Sequence, residues 1–190
     1  MTAQQTLARP RPAKLTVDDF LLLDRAGAFG KYQKTELIDG QVIVVNAEYA
    51  EHFTVKNRLY RRIADACDGL GRGVQAWSEG SIEIPPHNVP QPDIFITDEE
   101  PSRGLVKLET VLLVVEVAAS SLEQDLGPKL KAYATAGVAE YWVVDVKGGA
   151  IHQLWAPAGE TYAEKREVKL GQRIEAATVD GLKVETEGLC

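Results

Sequence analysis

Residues Val111–Asp145 read VLLVVEVAASSLEQDLGPKLKAYATAGVAEYWVVD: an apolar run carrying one acid, a polar turn, an amphipathic segment and a second apolar run. Val111–Val117 is short, rich in β-branched residues and hydrophobic on both faces, the pattern of a strand buried in the middle of a sheet. Glu116 breaks that pattern. An ionised carboxylate in such a strand is costly unless something positive neutralises it, and a lysine or a metal ion would serve. The following segment offers the lysine. At about 100° per residue, with Leu126 set at zero, Leu122, Leu130 and Tyr133 fall within about 40° of one line. Lys129 falls about 60° away, at the edge of this apolar stripe, and Lys131 about 140° away, on the solvent side. Asp125 precedes Lys129 by one helical turn, so an i,i+4 pair is available.

A second carboxylate stands upstream. In Gln91-Pro92-Asp93-Ile94-Phe95-Ile96-Thr97, Asp93 opens an apolar strand, and the interval to Glu116 accommodates that strand, a connection and a partner strand. Two carboxylates on adjacent strands can hold a hard divalent cation. Magnesium suits such a pair, because it keeps several waters and uses only one or two protein carboxylates beside a substrate phosphate. The same spacing also admits a plainer arrangement, a buried Glu116–Lys129 ion pair with the lysine stem lying along the core.

Working outward, residues 1–14 are polar and proline-bearing and read as a loose tail, with 15–190 as a single domain. Thr16 reads as an N-cap with Asp19 at N3, starting a short helix that ends near Gly27. Asp39-Gly40 between β-rich arms predicts a hairpin over 34–45, with Glu36 on the same face as Ile38. The spacing of Phe53, Lys56, Leu59 (or Tyr60) and Ile63 predicts a helix over 48–68, closed by Gly69 and Gly71. Lys56, Arg58, Arg61, Arg62 and Arg72 gather positive charge there, as a solvated helix face or as a phosphate-contacting surface. His52 reads as a capping or packing residue rather than a ligand. Short strands are expected over 73–78 and 81–84, a proline-rich loop through Pro85, Pro86 and Pro90, and a polar loop over 98–108. Further antiparallel strands follow from 151 onward, so the class is mixed α/β with a partly antiparallel sheet.

The chain has 190 residues with a formal charge of −7, which argues against bulk attraction to nucleic acid or anionic membrane but leaves room for a local basic groove. Cys67 and Cys190 make neither a disulfide framework nor a C-x-x-C pair, so a reducing cytoplasm is expected and a structural zinc site is not. No run approaches the length of a membrane span, and no membrane partner is expected.

Taken together, Glu36-Leu37-Ile38-Asp39-Gly40, His52, Pro92-Asp93, Val115-Glu116-Val117, Ser120-Ser121, Asp125, Lys129, Tyr133 and Ala136–Asp145 resemble the Uma2 family of DUF820-type endonucleases. That family is a branch of the PD-(D/E)XK nuclease superfamily. The resemblance implies a restriction-endonuclease-like core, a mixed sheet flanked by helices with additional antiparallel strands. It also implies a magnesium ion, replaceable by manganese, and hydrolysis of DNA phosphodiesters. Carried over by position, Asp93, Glu116 and the backbone carbonyl of Val117 would ligate the metal. Lys129 would stabilise charge on the scissile phosphate or position the attacking water. Glu36 would be an accessory acid, although its hairpin context equally suits a surface pair. Asp125 would orient Lys129, or simply be an acid favoured by a helix N-terminus. Tyr133, Tyr141 and Trp142 are expected as packing residues.

Two departures stand out. Ala118 follows Glu116-Val117 where the superfamily's E-x-K has its lysine, so the lysine must come from the next helix, and the family's usual proline after the serine is absent from Ala119-Ser120-Ser121-Leu122. A homodimer is expected, since two sites related by a two-fold axis cut both strands of a duplex most simply. The contrasting reading is a catalytically silent nucleic-acid- or protein-binding module on the same fold. A purely structural dimer, with the acids and lysine as ion pairs, is the third.

Overall fold

A computed structural model describes residues 12–45 and 50–190. The expected tail lies outside these residues except for its end at 12–14, as does the expected start of the second helix at Glu48 and Tyr49. Helix α1, Val17–Arg25, begins with the anticipated capping box: Asp19 N–H donates to Thr16 Oγ1 and Thr16 N–H to Asp19 Oδ2. Strands β1, Lys34–Ile38, and β2, Gln41–Val45, form the hairpin. Asp39 and Gly40 both have positive φ, 49° and 76°, as the two-residue turn that matches strand twist requires.

Helix α2, Ala50–Leu70, buries Val55, Lys56, Leu59, Ile63 and Cys67. Phe53, expected on the same stripe, is instead 55% exposed. Three arginines of this region reach the chain's C-terminal segment. Arg58 donates to the carbonyls of Gly188 and Leu189, Arg62 to that of Glu185 and Arg72 to that of Asp180. They therefore cap backbone carbonyls of the chain itself, which corrects the phosphate-contacting reading for these three.

Strands β3 (Gln75–Ser78), β4 (Ile82–Glu83), β5 (Ile94–Thr97), β6 (Val106–Lys107), β7 (Val111–Ala118), β8 (Glu140–Asp145), β9 (Ala150–Ala158), β10 (Thr161–Lys169), β11 (Ile174–Glu175) and β12 (Lys183–Val184) follow. Six of them form the main sheet in the order β10-β9-β8-β7-β5-β3. Only β7 and β8 pair in parallel within it, and the connection between them is a helical crossover that returns the chain to the same end.

Alternation along β7 divides the core. Leu113, Val115 and Val117 pack with α2 residues and the C-terminal segment, whereas Val114 and Ala118 pack with Tyr133, Tyr141 and Leu154 on the other face. Glu116 shares the parity of Val114 and Ala118, so strand geometry alone aims it at the β7–β8 crossover.

That crossover is not one regular helix. Helix α3, Leu122–Gln124, runs into a π-helical turn, Asp125–Lys129, and then into helix α4, Leu130–Thr135. Pro128 lies inside the turn and has no N–H for an i→i−4 bond, so the wider turn absorbs it. The wheel drawn at 100° per residue therefore fails here: Lys129 is turned into the core, 5% exposed, rather than left at the stripe edge.

A second buried acid holds the far end together. Glu140 is fully buried and accepts hydrogen bonds from Trp142 Nε1, Gln153 Nε2, the backbone N–H groups of Ala177 and Thr178, and Thr178 Oγ1. It fastens the loop after β11 to the sheet. Replacing Glu140 with alanine orphans several buried donors at once and is expected to cost about 3 kcal/mol or more. Urea unfolding checks this, with the glutamine variant falling between alanine and wild type.

Candidate active site

Three elements deliver carboxylates to one lysine. Glu116 comes from β7, Glu36 from β1 and Asp125 from the π-helical turn, and all three are at least 97% buried. Lys129 Nζ lies 3.0 Å from Glu116 Oε1, 3.1 Å from Glu36 Oε1 and 3.9 Å from Asp125 Oδ1. The i,i+4 pair anticipated from spacing thus exists, but as the longest of three contacts.

Each acid has a second anchor. Tyr133 OH donates to Glu116 Oε1 at 3.0 Å, the Gln91 N–H to Glu36 Oε1 at 2.7 Å, and Ser121 Oγ to Asp125 Oδ2 at 2.6 Å. Tyr133, expected as a packing residue, is both fully buried and a hydrogen-bond donor to the anomalous acid.

Asp93 stands just before β5, beside this group. Its Oδ2 accepts the Val117 N–H at 2.8 Å and lies 3.2 Å from His52 Nε2. His52, read as a cap or packing residue, therefore reaches the candidate site. In an extended strand the N–H and C=O of one residue leave the same edge, so the Val117 carbonyl also leaves β7 on the Asp93 side. Lys34 Nζ donates to the carbonyl of Gln91 at 2.8 Å and adds positive charge near Asp93. Neither Gln91 nor Lys34 was legible as a site residue. Both act through or upon the backbone carbonyl and N–H of one loop residue, which leaves no mark in side-chain pattern.

The donor set suits a hard cation. Asp93 Oδ1 and Glu116 Oε2 accept no hydrogen bond among the described residues, and the acids there outnumber the one ammonium among them. Among the described residues no cluster of three or more His, Cys, Asp or Glu side chains has the arrangement of a metal cage. A pair of carboxylates with one backbone carbonyl fits magnesium-type coordination completed by water and phosphate, and does not fit zinc. A cavity of about 730 Å³ lies elsewhere, between the crossover and β9–β10, and among the described residues that line it Glu167 is the one acid. Its walls hold none of the converging groups.

Electrostatics separate the two central acids. Burial pushes Glu116 up to about 8 despite the attraction of Lys129, and Asp125, Asp93 and Glu36 push the same way. Burial also raises Asp125, against Lys129 and the Ser121 hydroxyl. Burial would raise Asp93 too, but the hydrogen bond and charge of His52, the charge of Lys34 and the Val117 N–H prevail and hold it below the ordinary aspartate value. Lys129 is held in its charged form: burial opposes this, and Glu116, Glu36 and Asp125 together overcome it.

The consequence for stability has a definite sign. Between the ordinary glutamate value of 4.5 and about 8, the folded chain keeps a proton on Glu116 that the unfolded chain has released. Stability then falls as pH rises through that window. In chelator-treated protein the thermal midpoint is expected to decline across it, and Glu116→Gln is expected to flatten the slope. Melts at a series of pH values measure both.

Comparison with known proteins agrees with this architecture. The family model for Uma2, described as "putative restriction endonuclease", matches residues 17–187. Among solved structures, a "putative nuclease belonging to DUF820" from Anabaena variabilis superposes with a TM-score of 0.68 at 14% identity, covering 92% of this chain and 97% of that one. At that identity the likeness speaks for the fold alone, a mixed sheet with flanking helices. No curated protein matches the chain. Among the described residues no helix is long and apolar enough to cross a membrane. With the match running from the start of α1 to beyond β12, the chain belongs to the Uma2 family.

Proposed function

We propose that this protein is a metal-dependent endonuclease that hydrolyses phosphodiester bonds of DNA. The observation that carries the reading is Lys129 Nζ, buried and gathered with Glu116, Glu36 and Asp125 next to Asp93. One buried ammonium facing three buried acids is poor design for stability alone, since each charge taken from water costs several kcal/mol before any attraction is counted, on the order of estimates for buried ions. It is good design for a site that receives a divalent cation and a phosphate.

Asp93, Glu116 and the Val117 carbonyl would hold a magnesium or manganese ion. When bound, such an ion supplies Lewis acidity and lowers the pKa of coordinated water. The protein's own groups do the positioning. The Val117 N–H and His52 fix the Asp93 carboxylate. Tyr133 and Lys129 occupy one oxygen of Glu116 and leave the other for the ion. Glu36 and Asp125 hold Lys129 in its charged form, so that its ammonium can face the charge that develops on the scissile phosphate or orient the attacking water. Gln91 in turn fixes Glu36 as the accessory acid. A homodimer would present two such sites to a duplex.

Asp93→Asn, Glu116→Gln and Lys129→Met are each expected to reduce magnesium-dependent DNA cleavage by about 10³-fold, the scale at which a preorganised electrostatic group is lost. Circular dichroism and melting curves establish that each variant is folded. Cleavage by Glu116→Gln at the wild-type rate would sink the assignment.

A further inference from the structure

One turn along α2 from His52 lies a second, smaller cavity of about 280 Å³, lined by Phe53, Lys56, Asn57, Tyr60, Ser78 and Glu79. On the helix, positions 53, 56, 57 and 60 form one i, i+3, i+4, i+7 stripe, so all four face the same space. Phe53 is 55% exposed, an unusual cost for a phenyl ring on a helix whose neighbouring stripe is well buried. Tyr60 is partly buried at the other end of the stripe. The opposite wall is polar. Glu79 has φ 59°, a left-handed conformation uncommon for a residue with a side chain, and its carboxylate meets Lys56 Nζ at 2.7 Å.

The cavity is tied to the candidate active site through two short links. His52, at the position before Phe53, lies 3.2 Å from Asp93 Oδ2. Gln91 donates its side-chain amide to the Glu79 carbonyl and its backbone N–H to Glu36 Oε1. A ligand seated against Phe53 thus sits next to the group that would act on a phosphodiester.

From an exposed aromatic face, a facing polar edge and this adjacency, we infer that the cavity receives an unpaired nucleobase of the strand being cut. The base would stack on Phe53, with Asn57, Ser78 and Glu79 offering hydrogen-bonding groups to its edge. This rests on the nuclease reading above and adds a preference for substrates whose bases are unpaired, or readily unpaired, beside the scissile bond. Every base has a π face, so the stacking itself is tolerant of sequence. Extrusion of a base from duplex costs its stacking and pairing, which favours single strands, mismatches and frayed ends.

The test compares magnesium-dependent cleavage of a single-stranded oligodeoxynucleotide, the same strand with abasic residues, and its duplex. Phe53→Ala is expected to raise KM for the single strand about tenfold and to leave kcat near wild type, as removal of a base-stacking ring does. Phe53→Trp is expected to restore KM. The abasic strand is expected to be as poor a substrate for wild type as the intact strand is for Phe53→Ala, and that variant should not distinguish the two strands. Wild type is expected to cut the single strand in preference to the duplex. If wild type cleaves DNA but Phe53→Ala leaves KM unchanged, the base pocket is wrong and the nuclease reading stands. If wild type cleaves none of these substrates, both fall together.

Discussion

A single ammonium group, Lys129 Nζ, is enclosed by the carboxylates of Glu116, Glu36 and Asp125, and this contact joins three separate parts of the chain. Glu36 belongs to a hairpin outside the main sheet, Glu116 to its central parallel pair, and Asp125 and Lys129 to the crossover between β7 and β8. Removing the ammonium from such a buried group leaves uncompensated charge, typically a loss of about 3–5 kcal/mol. The hairpin's docking, the irregular turn in the crossover and the placement of Asp93 near the end of β7 are all consistent with that one constraint.

The π-helical turn is the local price of it. A regular helix would leave Lys129 at the margin of the apolar stripe. The widened turn around Gly127 and Pro128 brings the side chain inward while Leu126 and Leu130 keep contact with the sheet. Such turns concentrate at functional sites because they re-aim one residue without ending the helix. With Ala118 at the strand position, the ammonium beside Glu116 comes from the crossover instead.

Much of this was legible in the sequence, for identifiable reasons. The capping box, the Asp-Gly hairpin and the buried β7 and β8 are set by local chemistry and by short continuous apolar runs, which survive without tertiary information. Glu116 announced itself as an acid in an apolar strand. What stayed hidden depended on contacts far apart in the chain. Arg58, Arg62 and Arg72 read equally as a solvated face or a phosphate surface because their partners are backbone carbonyls in 180–189, which no side-chain pattern reveals. His52 looked like a cap because Asp93, the group it meets, lies on a different element. Phe53 fitted the helical stripe, yet the face buried by the sheet is centred on Val55, Leu59 and Ile63. Tyr133 was rightly placed in the core, but its hydroxyl found Glu116 through a crossover whose helical phase the regular wheel could not give.

The central claim is that Asp93 and Glu116, with the Val117 carbonyl, form a divalent-cation site served by Lys129. Crystals grown without divalent ions and soaked in manganese test it most directly. Anomalous scattering is expected to give one peak at about 2.0–2.3 Å from Asp93 and Glu116 carboxylate oxygens, in the range of short metal–oxygen bonds. The Lys129 ammonium should face the same cavity. No peak there at a manganese concentration that saturates binding in solution, or a peak bound only by residues outside this group, would contradict it.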